Sequence, residues 1–321
     1  MNEPAVVALG GGHGLAASLS ALRHVTSRLT AVVTVADNGG SSGRLRRELG
    51  VLPPGDLRMA LAALCGDDGW GRTWASALQH RFRSQGDLHD HAVGNLLIVA
   101  LWELLETSGA PDAHVAGLDW VARLLDARGR VLPMSAVPLD VVAQVRGVDP
   151  GRPDAVEQVR GQVEVATTVG QVQSIGLDPP DPPASAEAVV AVRDADCVVI
   201  GPGSWFTSVL VHLLVPDLAS AVHETSARRV LTLNLPPQPG ETDGLSPEAH
   251  LAALAAHAPD LRVDVVLADE SVAAAAVELP AAVRRLGARL VLADVASVDD
   301  PARHDVLRLA AAYQEICSTT D

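Results

Sequence analysis

The stretch AVVALGGGHGLAASLSAL, residues 5–22, decides the fold. It begins with an apolar run, continues with a glycine-rich turn at residues 10–14, and ends with leucines that recur at helical spacing. This order predicts a strand, a tight turn and a helix. A second β-branched run at residues 29–36 closes a βαβ unit within about 35 residues, so the two strands are expected to be parallel.

The rest of the chain leaves this pattern and later returns to it. Residues 57–127 are mostly helical in pattern, and residues 130–173 contain short alternating stretches typical of antiparallel strands. Strand and helix alternate again from residue 184. We therefore predict an α/β fold with a Rossmann-like, doubly wound, mostly parallel sheet. Residues 1–321 are expected to form a single domain, with an inserted helical and small antiparallel subdomain at about 66–183.

The charge of the chain limits its partners. The formal net charge is −15 at pH 7, and all 24 basic residues are arginine. Such a charge repels phosphate backbones and anionic lipid heads, so we expect no nucleic-acid partner and no membrane insertion. Without lysine there is no Walker phosphate lysine, Schiff base or lysine general base, and any phosphate must be held by arginine and backbone amides.

The composition is that of an ordinary folded protein. Hydrophobic residues make up 48% and charged residues 20%, and no apolar run reaches the roughly 18 residues that span a bilayer. The three cysteines, Cys65, Cys197 and Cys317, are far apart in sequence and lack Cys-x-x-Cys spacing. They predict neither a disulfide framework nor a zinc site. We expect a cytoplasmic protein.

The candidate ligand site lies in loops that follow predicted strands, because ligands of open α/β sheets bind at the carboxyl ends of their strands. In the first loop, glycine amides and the start of a helix can approach an anion. Its candidate ligand-binding residues are Gly11, Gly12, His13 and Gly14. The loop lacks the third glycine of a GxGxxG fingerprint, which argues against a dinucleotide-binding oxidoreductase.

The loop at residues 37–43 offers more hydrogen-bonding groups than a turn requires. Serine hydroxyls can bind phosphate or sugar oxygens, and a planar guanidinium binds phosphate through two hydrogen bonds. The candidate ligand-binding residues of this segment are Asp37, Asn38, Gly40, Ser41, Ser42 and Arg44.

Further polar residues follow in later loops and helix starts. Arg58 lies in the first turn of a predicted helix, where the dipole disfavours a cation, so a bound anion would explain it. Asn95 enters an apolar helix and needs a polar partner. This group of candidates comprises Asp56, Arg58, Gly94, Asn95, Gly201, Gly203, Ser204, Asn234, Glu241 and Thr242. No nucleophile paired with a base marks a catalytic residue, and no metal site is predicted.

Seven motifs occur in the order typical of one family. They are GGGHGL at residues 10–15, ADNGGSSGRLR at 36–46, PPGDLR at 53–58, HAVGNL at 91–96, VLPM at 131–134, GPGS at 201–204 and PGET at 239–242. Together they make nearly the whole chain resemble the gluconeogenesis-factor family of the CofD-like superfamily. The sequence departs from that family at Asn38, where a second Asp is more usual, and at Leu245, where an aromatic residue often stands.

The resemblance implies a Rossmann-like fold shared with the 2-phospho-L-lactate transferases of deazaflavin-coenzyme synthesis. It also implies binding of UDP-sugars, chiefly UDP-N-acetylglucosamine, and a regulatory role in carbon metabolism, cell shape and peptidoglycan synthesis. We expect a binding module rather than an enzyme, with no firmly bound cofactor, and the sequence leaves a homo-oligomer open. The alternative is a phospho-lactyl-type transferase, which would use Mg²⁺ beside Asp37 and Asp56.

Overall fold

The structure of the chain is a computed structural model that describes residues 3–235 and 245–318. The strands are β1 Val6–Gly10, β2 Leu29–Val33, β3 Arg130–Pro133, β4 Asp140–Arg146, β5 Val156–Arg160, β6 Gln171–Asp178, β7 Cys197–Ile200, β8 Arg228–Thr232, β9 Val265–Asp269 and β10 Arg289–Ala293. The helices are α1 Gly12–Leu22, α2 Gly40–Leu49, α3 Gly55–Ala63, α4 Gly69–Gln79, α5 Val93–Thr107, α6 Ala113–Leu125, α7 Gln162–Ala166, α8 Ala186–Arg193, α9 Pro216–Glu224, α10 Pro247–His257, α11 Glu270–Ala275, α12 Leu279–Arg285 and α13 Val306–Ser318. A π-helical turn, Trp205–Val209, and a 3-10 helix, Leu210–Leu214, follow β7.

The main sheet has seven strands in the described part of the chain, in the order β10-β9-β8-β7-β1-β2-β3. All its pairings are parallel, for example Val6 beside Leu29 on one edge of β1 and beside Cys197 on the other. All five residues of β1 are buried, as expected for a strand covered by helices on both faces. The predicted doubly wound α/β fold is confirmed.

A second, antiparallel sheet of three strands has the order β5-β4-β6. Along β4 buried and half-buried residues alternate, which fits a strand with one face against the core. An ion pair attaches this sheet to α2, because Arg46 of α2 lies 2.7 Å from the carboxylate of Asp140 in β4. Arg160 of β5 lies 2.7 Å from the same carboxylate and joins the two neighbouring strands. β3 lies inside the residue range predicted for the insert and forms the edge of the main sheet.

The core surrounds the main sheet, and its largest fully buried side chains include Trp102, Trp205 and Tyr313. Trp102 donates its indole N–H to the carbonyl oxygen of His114 at 2.9 Å, so its polar atom is satisfied inside the helical layer. Trp205 and Phe206 are 1% and 4% exposed, and both pack in the core. Burial of each such side chain contributes roughly 1.5–3 kcal/mol.

A helix that crosses a membrane needs roughly 18 or more consecutive, mostly apolar residues. Within residues 3–235 and 245–318, no single helix combines the required length and apolar character. One pair does so jointly, Trp205–Leu214 with Pro216–Glu224, but the two helices are bent by 83° relative to one another.

Candidate functional site

The candidate site lies around the end of β1, on the side of the main sheet where the carboxyl ends of its parallel strands meet. We call this side the carboxyl edge. β1 pairs with β2 on one side and with β7 on the other, and these two neighbours come from opposite halves of the chain. Such a change in strand order opens a crevice between the loops that leave the strands. Three of the predicted loops, at residues 10–14, 37–43 and 201–204, leave β1, β2 and β7 at this edge.

The glycines of the 10–14 loop are required by close packing. A Cβ on Gly11 would lie 2.6 Å from Oδ2 of Asp56, and a Cβ on Gly14 would overlap the carbonyl oxygen of Pro202. Gly12 has a φ of +57°, a conformation that glycine adopts without strain. The first loop is therefore fitted against both the PPGD segment and the 201–204 loop. His13 is exposed at the start of α1.

The second loop contacts the start of α3. Oδ1 of Asp37 accepts a hydrogen bond from the backbone N–H of Gly39 at 2.9 Å, which orders the turn before α2. A Cβ on Gly55 would lie 2.8 Å from Oδ2 of Asp37 and would overlap the hydroxyl of Ser42. Gly40, at the first position of α2, has a φ of +44°. Asp37, Ser42 and the backbone of Gly55 are thus in contact at one point.

Three helices begin at this edge, namely α1, α2 and α3. Their N-cap residues are Gly11, Gly39 and Pro54, and among the described residues none of these caps makes a side-chain hydrogen bond. The first turn of a helix leaves backbone N–H groups without helical partners, and its dipole favours negative charge. The edge therefore offers several backbone donors to an anion.

Asp56 is the most perturbed acid of the site. Its side chain is buried, and within the described chain its Oδ2 has no hydrogen-bond partner. Burial, followed by the negative charge of Asp37, raises the pKa of Asp56 to about 7, although the backbone N–H of Gly12 and the charge of Arg58 oppose the shift. Near neutral pH this carboxyl group is therefore protonated in part of the molecules and ionised in the rest.

A buried polar network stands next to the acids. Nε of Arg58 donates to Oδ1 of Asn95 at 2.9 Å, and its Nη1 donates to Oε1 of Gln79. Asn95 in turn donates to the hydroxyl of Ser41 at 3.0 Å. Because that oxygen also accepts from the backbone N–H of Ala92 at 3.3 Å, its own proton points to Nδ1 of His91, 3.0 Å away. The polar partner expected for Asn95 is thus Arg58 together with Ser41.

The charges in this network are set by their surroundings. Burial lowers the pKa of Arg58 to about 10, with Arg81 adding to the shift and both Asp56 and Asp37 opposing it, so the guanidinium stays charged at neutral pH. Burial also lowers the pKa of His91, in keeping with a neutral ring that accepts from Ser41. A Cβ on Gly94 would lie 2.8 Å from Cγ of Arg58, so the glycine makes room for this arginine.

Other predicted residues have partners away from the acids. Arg44 donates to the carbonyl oxygens of Asp87 and His89, at 3.2 and 2.6 Å. Asn38 accepts from the backbone N–H of Val163 at 3.1 Å and donates to the carboxylate of Glu164 at 2.7 Å. Asn38 therefore attaches α7 to the second loop, a role that needs both a donor and an acceptor.

The 201–204 loop is held by Asn234, which follows β8. Oδ1 of Asn234 accepts from the backbone N–H of Gly203 at 2.8 Å, and its Nδ2 donates to the carbonyl oxygen of Gly203 at 2.9 Å. The hydroxyl of Ser18 donates to the carbonyl oxygen of Gly201 at 3.1 Å. Ser204 is exposed at the start of the π-helical turn. Glu241 and Thr242 lie outside the described residues.

Sequence reasoning missed Gln79, His91 as a partner of Ser41, and Glu164. Arg58 and Gln79 are 21 residues apart and Asn38 and Glu164 are 126 apart, so no local pattern joins them. An Asn in place of an expected Asp at position 38 was the available signal for a partner that accepts a hydrogen bond.

A protein site for a metal ion needs several ligating side chains grouped around one point. Across residues 3–235 and 245–318, no group of three or more His, Cys, Asp and Glu side chains is placed to hold one. Asp37 and Asp56 are two carboxylates at one edge, with the Ser42 hydroxyl beside Asp37. Mg²⁺ is commonly held by one or two carboxylates together with substrate phosphates and water. The residues therefore fit a Mg²⁺ that arrives with a phosphorylated ligand, and they do not form a closed metal cage.

Comparison with known proteins gives the family. The sequence profile described as "2-phospho-L-lactate transferase CofD" matches residues 6–306. A putative gluconeogenesis factor of Mycobacterium tuberculosis is 51% identical over 316 residues, covering 98% of this chain and 90% of the relative, and the gluconeogenesis factor of Listeria monocytogenes is 33% identical over 320 residues, covering 99% and 90%. The crystal structure of a UPF0052 family member from Bacillus halodurans superposes with a TM-score of 0.82 at 32% identity, covering 97% of this chain and 99% of that one. The chain therefore belongs to the gluconeogenesis-factor family, within the wider CofD family whose profile spans it.

Proposed function

We propose that this protein binds a UDP-sugar, UDP-N-acetylglucosamine, at the carboxyl edge of the main sheet. The observation that supports the proposal most directly is the meeting of the α1, α2 and α3 N-termini at that edge without side-chain caps in the described chain. Their amides offer donors to a diphosphate, and the guanidinium of Arg58 adds a fixed positive charge beside them. The hydroxyl of Ser42, beside Asp37, adds a donor and an acceptor suited to a sugar.

The arrangement favours holding a ligand over transforming it. The hydroxyl of Ser41 donates to His91, but both residues are buried and Asn95 donates to the same hydroxyl. The ring of His91 is oriented by no carboxylate among the described hydrogen bonds. A nucleophile needs access to substrate and an oriented base, so this pair serves to position its neighbours. We therefore propose a regulatory binding protein rather than an enzyme.

The relatives named gluconeogenesis factor extend the proposal to biology. On this proposal, ligand binding affects carbon metabolism, cell shape and peptidoglycan synthesis. Replacing the chromosomal gene by an Arg58→Ala allele tests the extension. Growth on gluconeogenic carbon sources should fall and cell shape should change, whereas normal growth and shape on all carbon sources would contradict it.

Calorimetric titration with a panel of nucleotides and nucleotide sugars tests the binding proposal. UDP-N-acetylglucosamine should bind with a micromolar dissociation constant, which corresponds to about 7–8 kcal/mol. Arg58→Ala should weaken binding by about 1.5–3 kcal/mol, because a charge-assisted contact is lost. Arg193→Ala is the matched control, since Arg193 ends α8 at the opposite edge of the sheet and pairs with Glu224 at 3.6 Å. Tighter binding of NAD or of a guanine nucleotide would refute the assignment.

A second candidate function is transfer of a phospho-lactyl-type group from a nucleoside diphosphate carrier to a hydroxyl. The match of residues 6–306 to the transferase profile and the acid pair Asp37 and Asp56 favour it. These two carboxylates would hold Mg²⁺ against the diphosphate, where the ion would offset developing charge. Prolonged incubation with Mg²⁺, a nucleotide donor and hydroxylated acceptors distinguishes the two functions. The assignment would change to the transferase if product forms in molar excess over the protein and if Asp37→Ala abolishes that product.

A further inference from the structure

Two of the three cysteines meet where the last helix packs on the main sheet. Cys197 is the first residue of β7, and Cys317 lies in the last turn of α13. The chain separates them by 120 residues, yet their Sγ atoms are 2.7 Å apart. Non-bonded carbon atoms attract each other best at roughly 3.5–4.0 Å, and sulfur is larger than carbon. The fold therefore brings the two sulfurs inside ordinary contact distance.

The two thiols differ in their access to solvent. Cys197 is fully buried, whereas Cys317 is half-buried and reachable from solvent. The hydrogen bond with Cys317 and burial raise the pKa of the Cys197 thiol far above its ordinary value. Small oxidants attack accessible thiolates, so Cys317 is the group that meets an oxidant first. Cys197 then lies in place to react with the product.

We propose that Cys197 and Cys317 form an intramolecular disulfide when the protein meets a peroxide. In the first step the Cys317 thiolate attacks hydrogen peroxide, an S–O bond forms, the O–O bond breaks, and hydroxide leaves. The Cys197 sulfur then attacks the resulting sulfenic acid, its thiol proton is released, and hydroxide leaves to be protonated as water. Two thiols and one peroxide thus give one disulfide and two waters.

The bond would tie α13 to the start of β7, and other contacts of α13 extend towards the candidate site. The carbonyl oxygen of Ile316, next to Cys317, already accepts a hydrogen bond from Arg228 at 2.6 Å. One turn earlier, the hydroxyl of Tyr313 lies 2.8 Å from that of Ser18, which holds the carbonyl of Gly201. A covalent link at Cys317 therefore fixes the helix whose contacts extend to the 201–204 loop.

Thiol counting by alkylation and mass spectrometry tests the proposal directly. After reduction and unfolding, all three cysteines should react with iodoacetamide. After mild hydrogen peroxide treatment, removal of the oxidant and unfolding without a reductant, only Cys65 should react, and Arg-specific digestion should yield one peptide pair joined through Cys197 and Cys317. Cys65 is the internal control, because it is buried and its thiol faces the carbonyl oxygen of Leu61 at 3.5 Å. Three reactive thiols after treatment, or a link between two chains, would overturn the proposal.

Thermal unfolding provides an independent measurement. The oxidised protein should melt about 3–8 °C above the reduced protein, because the link constrains the unfolded chain. Cys317→Ser should abolish this difference, and Cys65→Ser should leave it intact. Mass spectrometry could show the link while the oxidised and reduced proteins melt at the same temperature. That result would establish the disulfide but contradict the anchoring of α13. Neither measurement depends on the identity of the bound ligand.

Discussion

Replacing Asp56 by Asn should make the protein less sensitive to pH. The side chain is buried, its Oδ2 has no partner among the described residues, and the charge of Asp37 opposes its ionisation. An asparagine keeps an oxygen that can accept from Gly12 and removes the buried charge. The cost of burying that charge should therefore disappear in Asp56→Asn.

The expected size follows from the pKa of Asp56, which is raised from an ordinary value of 3.8 to about 7. Below the lower value both states hold the proton, and between the two values only the folded state does. Stability is therefore lost progressively as pH rises from about 3.8 to about 7, and little further loss follows above that value. At about 1.36 kcal/mol per pKa unit, the wild type should lose about 2–3 kcal/mol relative to Asp56→Asn between about pH 5 and pH 8.

Urea unfolding of both proteins at several pH values measures this difference. Asp140→Asn is the control: burial alone would raise the pKa of Asp140, but hydrogen bonds from Arg160 and Arg46 lower it overall. The contribution of Asp140 is thus present above its ordinary pKa and is lost only in acid. The difference in unfolding free energy between the wild type and Asp140→Asn should therefore stay constant between about pH 5 and pH 8, while both proteins keep the slope that Asp56 causes. An Asp56→Asn difference that is constant over this interval would refute the reasoning.

Three further predictions concern the loops. Gly14→Ala should lower the melting temperature by several degrees in a thermal scan, because the added methyl would overlap the carbonyl oxygen of Pro202 in the 201–204 loop. An unchanged melting temperature would contradict that packing. Asn38→Asp should increase amide hydrogen exchange in α7, since a second carboxylate would replace the donor 2.7 Å from Glu164, and unchanged exchange would show that this bond does not hold the helix. Asn234→Ala removes two hydrogen bonds to Gly203 in the 201–204 loop and should lower the free energy of unfolding in urea by about 1–3 kcal/mol. An unchanged free energy of unfolding would show that other contacts hold the loop.

The sequence predicts the parallel sheet and the loops at its edge because these rest on short-range patterns. The apolar run, glycine turn and helix of residues 5–22 appear as β1 and α1. The contacts that hold the site are of another kind. Arg58 meets Asn95 across 37 residues, and Asn38 meets Val163 across 125. Periodicity describes which face of an element is buried, but it does not say which distant side chain fills the space opposite.

Sequence spacing also does not predict the contact between Cys197 and Cys317. Cys197 and Cys317 are separated by 120 residues and show no metal or redox motif, and only the packing of α13 on the sheet brings them together. The acid pair illustrates the same limit in energetic terms. Asp56 is recognisable as a helix-start residue, but its raised pKa depends on burial and on Asp37, which the fold supplies.

The position of β1 in the sheet has a consequence for synthesis on the ribosome. One side of β1 pairs with β2, the next strand to be synthesised. The other side stays unpaired until β7, which begins at Cys197, has been synthesised. Until then a fully apolar strand has an open edge, and open edges are where nascent chains associate wrongly. Ribosome stalling before β7 should therefore give aggregation-prone chains, and the candidate site can form only late in translation.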